Sequence, residues 1–289
     1  MVRELGLERR ETVRSLSTVG VGDLREAVLS TRGLKKMSWG YDADNGPATW
    51  AKAFPIANGK KQSPIDITPG TATFDANLAG GPLVTSYATG PLQVKNTGKT
   101  MTVHGTQSEI KGGPLTGTYK FEQFHFHWGT DDKEGSEHTI NGQLFSSELH
   151  LVHYNSSKYK SFAEAVDKPD GLAVFAFFIK LGGKHAGMAD LTDKTIPTIT
   201  DEGKSAELSG LKLSSLLCSD MSKYWAYDGS LTNPPLHESV TWIVFKEPIE
   251  MSADQLHALR TLKCGGKCIL TNRRPPVPLG DRTVRASFK

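Results

Sequence analysis

Three histidines in two short segments have the side-chain types and the spacing to hold one metal ion. The first segment reads Gln123-Phe124-His125-Phe126-His127-Trp128 and the second Glu148-Leu149-His150-Leu151-Val152-His153, and five of the nine histidines fall between 125 and 153. Side chains alternate across a β-strand, so His125 and His127 share a face with Gln123, while Phe124, Phe126 and Trp128 fill the other face against a core. In the second segment Glu148, His150 and Val152 share a face, and Leu149, Leu151 and His153 take the opposite one. Antiparallel pairing of two such strands brings three imidazoles to one point. Three neutral imidazoles with a fourth position left for water are the ligand set of a catalytic zinc, whereas a structural site closes with four protein ligands. Gln123 and Glu148 each precede a ligand by two residues, placed to hydrogen-bond its non-coordinating nitrogen and fix the tautomer.

A His-x-His pair alone in an aromatic strand is more often a satisfied core feature than a pair of ligands. A third histidine with an acid at the same offset makes coincidence much rarer. Spacing by itself still leaves a binuclear, a copper or a purely structural metal site open.

The elements that must position these residues read as strands. Segments 92–95, 101–104, 173–179 and 240–245 have strand character, with Gly, Asn and Pro between them. Two stretches look helical: 161–166, and a segment opened by Ser252-Ala253-Asp254-Gln255, a capping-box pattern before Leu256, Leu259 and Leu262. No repeat, low-complexity tract or linker follows residue 37. A chain of 289 residues is long enough for a full core. The longest apolar stretch, Leu172–Leu181, is too short for a membrane span and reads as a buried strand.

Charge and cysteines exclude further classes. Residues 1–36 carry eight Arg or Lys against five acids, a net of +3 that equals the whole chain's, so residues 37–289 balance to zero. The main domain therefore offers no electrostatic case for nucleic acid or an anionic membrane. The extension lacks the apolar core of a secretory signal, and its five acids argue against a mitochondrial transit peptide, which its arginines and serines faintly suggest. It reads as a flexible or partly helical basic tail. Cys218, Cys264 and Cys268 form no disulfide framework, and Cys264-Gly-Gly-Lys-Cys268 reads as ordinary loop thiols.

From Trp39 to Lys289 the chain resembles the α-class carbonic anhydrases from end to end. The resemblance is carried by Trp39-Gly-Tyr41, Gln62-Ser-Pro-Ile-Asp66, the run QFHFHWG at 123–129, Gly135-Ser-Glu-His138, ELHLVH at 148–153, Ser230-Leu-Thr-Asn-Pro-Pro235, Val240-Thr-Trp242, Asn272-Arg-Arg-Pro275 and the closing Ala286-Ser-Phe-Lys289. It implies a mixed, β-dominated single domain: a large twisted, mostly antiparallel sheet of about ten strands with short surface helices and a conical cavity. It implies Zn2+ on His125, His127 and His150, with Gln123, Glu148 and Asn272 as outer partners of the ligands. Thr232 is expected to donate to Glu137 and to accept from zinc-bound hydroxide, since a buried carboxylate can only accept. Val152, Val174, Leu231, Val240 and Trp242 match the apolar wall for CO2, with Asn233, Phe162 and Tyr41 completing the substrate pocket. The implied reaction is reversible hydration of CO2 to bicarbonate and a proton, in a monomer open to sulfonamide-type inhibitors.

The chain departs from the family's fastest members at the proton route. Their shuttle is a cavity histidine after an Asn-Gly turn, and here Asn96-Thr97-Gly98 leads to Lys99. A lysine, with a pKa of about 10.4, keeps its proton at neutral pH, whereas a histidine of about 6.5 exchanges one. Slower turnover is therefore expected, with His104 as a substitute shuttle on the cavity rim. Asn233 stands where the fast members carry threonine, narrowing the cavity near the bicarbonate site. Arg273 replaces an aromatic and reads as a surface change. Ala57 and Leu236 occupy the secreted members' cysteine positions, which supports a cytoplasmic enzyme, with mitochondrial targeting by residues 1–36 as the alternative. A catalytically dead binding module would be expected to lack a ligand histidine, and a mineral-matrix scaffold to carry acidic or Gly-Asn repeats. The chain has neither feature.

Overall fold

The apolar run at 172–181 forms the strand Leu172–Leu181, buried from Leu172 to Ile179. Both of its faces are covered, because alternate residues enter two separate cores. Val174, Ala176 and Phe178 join one, and Phe175, Phe177 and Ile179 the other. This strand pairs antiparallel with Ser147–Asn155 on one side and parallel with Val240–Met251 on the other. In the computed structural model, which describes residues 39–105 and 107–289, it is central to one twelve-stranded sheet. Residues 1–36, read as a basic extension, lie outside the described residues.

The sheet's main path contains ten strands, as expected, running from Ser205–Leu208 at one edge to Thr73–Phe74 at the other. Val84–Ser86 and Glu109–Lys111 pair off this path. The pairings are antiparallel except two: Leu172–Leu181 with Val240–Met251, and Arg285–Ala286 with Thr73–Phe74. The helices are short. Ala253–Arg260 starts at the predicted capping box, with Ser252 and Gln255 bonding each other's backbone N–H. The helix expected over 161–166 is confined to Phe162–Ala165, capped by Ser161. Pro169 follows closely and disfavours helical backbone at the residue before it.

The two faces have different duties. Phe124, Phe126, Trp128, Leu149 and Leu151 pack into the larger core with Leu256 and Leu259 of the Ala253–Arg260 helix. The opposite face carries the imidazoles beside Val152, Val174 and Trp242. His153 belongs to the first face and is fully buried. Its Nε2 lies 2.9 Å from the Tyr87 hydroxyl, and its ring meets Phe121 and Phe175.

Burial pushes the His153 imidazole down to about 3, against an ordinary value of 6.5. An unfolded chain therefore takes up a proton that the folded chain refuses as the pH falls below about 6.5, with a loss of roughly 1.4 kcal/mol per pH unit in that window. Urea midpoints measured from pH 7 to pH 5 are expected to fall more steeply in the wild type than in His153→Gln. Parallel slopes would contradict the assignment.

Candidate metal centre

The strands Tyr119–Trp128 and Ser147–Asn155 pair antiparallel with His125 opposite His150, His127 opposite Glu148 and Gln123 opposite Val152. All six side chains thus share one face of the sheet. The three imidazoles are at most 8 % exposed, and their ring centroids lie 4.6 to 5.2 Å apart. One nitrogen from each lies within 4.8 Å of the others.

The outer nitrogens are all engaged. His125 Nδ1 is 2.9 Å from Gln123 Oε1, His127 Nδ1 is 2.8 Å from the Asn272 carbonyl, and His150 Nε2 is 2.6 Å from Glu148 Oε1. Each contact makes that nitrogen the donor, which leaves Nε2 of His125, Nε2 of His127 and Nδ1 of His150 with lone pairs. The Nε2 atoms of His125 and His127 are 3.1 Å apart. Two lone pairs at that separation repel unless a cation lies between them, and two nitrogens bound to one zinc at ≈ 2.0–2.1 Å sit roughly 3.3 Å apart. The residues therefore fit the ion. Burial, followed by the charges of neighbouring imidazoles, holds His125 well below its ordinary pKa. Burial lowers His127 too, against the opposing charge of Glu137. Both rings stay neutral, as ligands must.

Glu148 is a saturated acceptor. Its Oε2 accepts the N–H groups of Glu137 and His138, and its Oε1 accepts from His138 Nδ1 as well as His150. Burial alone would raise its pKa, but the charge and hydrogen bonds of His138 and His150 outweigh that and hold the carboxyl well below the usual range. His138, Glu148 and His150 also bring ligand-type atoms together. They form a closed hydrogen-bond chain, at most 1 % exposed, that continues from His138 Nε2 to the Tyr227 hydroxyl at 2.6 Å and on to Ser63 Oγ at 2.9 Å. This trio supports a ligand and has no open side for an ion.

Glu137 is fully buried. Its Oε1 accepts the Arg274 N–H at 2.9 Å and lies 3.2 Å from His127 Nδ1. Its Oε2 has no hydrogen-bond partner among the described residues, so the bond expected from the Thr232 hydroxyl is not formed here. The sequence reading did not assign roles to Arg274, His138, Tyr227 or Ser63. Ser63, His138 and Arg274 stand within the quoted motifs and Tyr227 outside them, and nothing in the spacing says which side chains meet.

A cavity of ≈ 250 Å³ is lined by two of the imidazoles, His125 and His150. Its lining combines polar residues, among them Gln123, His125, His150, Thr232 and Asn233, with the apolar Val152, Val174, Leu231, Phe162 and Trp242. Val240, expected on that wall, is buried in the core on this face and does not reach the cavity. Tyr41 and Lys99 line a neighbouring cavity of ≈ 420 Å³ instead. The Lys99 ammonium lies 5.6 Å over the Trp39 ring. The Tyr41 hydroxyl nevertheless faces the Asn233 side chain, with burial and then the Glu137 charge raising its pKa well above the ordinary value. His104 is opposite Gln123 on the next strand, exposed, and 4.0 Å from Glu122. Arg273 is partly exposed and reaches to 3.8 Å from Glu134, which is itself exposed. Cys264 and Cys268 stand on the two strands of a hairpin, opposite Lys267 and Lys263, and both are free thiols.

A zinc-fitting imidazole trio on a twisted mixed sheet is the architecture that the sequence resemblance implied. The family model of eukaryotic-type carbonic anhydrases matches residues 45–288. Carbonic anhydrase 1 of Monodelphis domestica is 48 % identical over 267 residues, covering 89 % of this chain and all of the relative. Carbonic anhydrase 1 of Mus musculus is 46 % identical over 261 residues, covering 86 % of this chain and 98 % of the relative. The chain belongs to the α-class carbonic anhydrases, zinc enzymes that hydrate CO2 reversibly to bicarbonate. Zinc is accordingly its cofactor, and His125, His127 and His150 form a buried group able to hold it.

Removing an outer partner weakens metal binding by about 10- to 100-fold in comparable sites. Glu148→Gln is expected to lose zinc affinity in that range, measured by competition with a chelator. An unchanged affinity would show that the outer bonds do not set the ligands.

Proposed function

We propose that the site hydrates CO2 with the ligand, orienting and wall residues named above, and that its slow step is export of the proton. The observation that carries this reading is the buried imidazole trio, two of whose rings line a cavity shared with Thr232 and the apolar Val152, Val174, Leu231 and Trp242. Bound zinc supplies the nucleophile by lowering the pKa of water to ≈ 7, a magnitude established on carbonic anhydrases rather than taken from this geometry. Glu137 Oε2 is a buried acceptor in need of a donor, and the Thr232 hydroxyl on the cavity wall supplies it when the site is loaded. A hydroxyl that donates to Glu137 has only its lone pairs left for the nucleophile, which orients the attack. Val152, Val174, Leu231 and Trp242 offer CO2 a surface with no hydrogen bonds to lose, so the apolar substrate competes well against water there. Asn233 reduces the room for the bicarbonate product and slows its release.

Lys99 fits the proton route poorly on two counts. An alkylammonium is a poor proton relay at neutral pH as a residue type, and the Lys99 ammonium lies over Trp39 in the lining of a different cavity. His104 stands outside the cavity lining. We further propose a monomer inhibited by sulfonamides. A cytoplasmic location is supported by the free cysteines and by Ala57 and Leu236 at the secreted members' cysteine positions. No described helix is long and apolar enough to cross a membrane.

Stopped-flow CO2 hydration, with and without a zinc chelator and a sulfonamide, tests the reading. Activity lost on chelation and restored by zinc is expected, and inactivity of zinc-replete protein would overturn it. Turnover at pH 7 is expected to rise at least severalfold in Lys99→His, because imidazoles as a class exchange protons at neutral pH and alkylammonium groups do not. Small imidazole buffers are expected to rescue the native chain. Equal turnover in both proteins would remove Lys99 as the limit, and a fall in His104→Ala across pH 6–8 would assign the relay to His104.

A further inference from the structure

Arg274 is a cation only 4 % exposed, and its guanidinium is satisfied by neutral oxygens. Its Nη1 donates to Gln62 Oε1 at 2.9 Å and to the Ser63 carbonyl at 2.8 Å, and its Nη2 donates to the Ala57 carbonyl at 3.2 Å. Trp50 covers one face, its ring 5.7 Å away. Burying a charge against neutral acceptors is expensive, so the segments that it joins are informative. The fork ties residues 57–63 to residues 272–275, more than 200 positions apart in sequence.

Both ends of that tie reach the chemistry. The backbone N–H of Arg274 donates to Glu137 Oε1 at 2.9 Å. Ser63 exchanges two hydrogen bonds with Ser230: its N–H donates to Ser230 Oγ at 2.9 Å, and its Oγ accepts the Ser230 N–H at 3.0 Å. The Ser230 carbonyl accepts from Trp242 Nε1 at 3.0 Å, and Thr232 follows two residues later. Glu137 is thus referenced to the Arg274 main chain, and the loop carrying Thr232 to the segment that the Arg274 side chain grips.

We infer that Arg274 is a positioning residue whose guanidinium sets the placement of Glu137 relative to Thr232. The inference rests on the orienting roles given to those two residues above. Lysine at this position keeps the charge but cannot reach three acceptors from one planar fork, so it is a partial substitute. The three zinc ligands hold their own outer partners, Gln123 Oε1, the Asn272 carbonyl and Glu148 Oε1, and none of these is an Arg274 acceptor.

A double-mutant cycle on the zinc-loaded full chain tests this, using Glu137→Gln, Arg274→Met and the pair. Each single change is expected to lower kcat/KM for CO2 by about 10- to 100-fold, because orientation of the attack lies in the hydration step while kcat is set by proton export. The double variant is expected to lie within about threefold of the worse single, because the two act as one unit. Arg274→Lys is expected to fall between wild type and Arg274→Met. Zinc affinity by chelator competition is expected to stay within about threefold of wild type, with the main loss in kcat/KM. In hydrogen exchange, the amide of residue 274 is expected to lose protection in Arg274→Met while the amides of 172–179 keep theirs. If Arg274→Met does not fold, Arg274→Lys and Gln62→Leu replace it in the cycle, with the same pattern at smaller size. Independent, multiplying losses in the double variant, a wild-type kcat/KM in Arg274→Met, or a still protected amide 274 would overturn the inference. A wild-type kcat/KM in Glu137→Gln would instead overturn the role given to Glu137, and amide 274 would still report whether the clamp exists.

Discussion

Three nitrogen lone pairs aimed at one point repel each other until a cation lies between them, and much of this molecule serves to keep them aimed. Each imidazole spends its other nitrogen on a fixed acceptor, so none can turn its lone pair away. Those acceptors come from three sources: a side chain on the same strand, a carbonyl 145 residues away, and a carboxylate that is itself held by two backbone N–H groups and a fourth histidine. The site is therefore preorganised in both position and protonation, with burial keeping the His125 and His127 rings neutral.

Strand alternation supplies the wall as well as the ligands. Val152, Val174 and Trp242 are direct neighbours across three adjacent strands, forming one apolar row. In the next row His150 faces Ala176, whose small side chain leaves room for the imidazole. The same strands send Phe175, Phe177, Leu149 and Leu151 to the opposite core, where the His153 ring is also buried. A one-residue slip would exchange the two faces and destroy both, so the large aromatic core fixes the register that the metal site needs.

Periodicity made the central part of this legible in the sequence. The period of two placed His125, His127 and His150 on one face, and the offsets of Gln123 and Glu148 named their partners, because neighbours within a strand are set by local geometry. What sequence could not reveal depends on contacts between remote segments. Arg274 and Gln62 are 212 residues apart, and His138 meets Tyr227 across 89. Val240 shows a second limit: its face follows from Trp242 two residues on, yet only the packed structure says that the cavity stops short of it. Lys99 shows a third. Its place after the Asn-Thr-Gly turn was readable, but the direction of a long flexible side chain was not, and it lies over Trp39.

The central claim is that one zinc ion is held by three imidazoles and by no other protein group. X-ray absorption at the zinc edge of the metal-loaded chain reads this directly. The expected spectrum contains three imidazole nitrogens at ≈ 2.0–2.1 Å, with their ring scattering, and no sulfur shell near 2.3 Å. A sulfur shell, a fourth protein ligand, or a spectrum unchanged in His150→Ala would contradict the account.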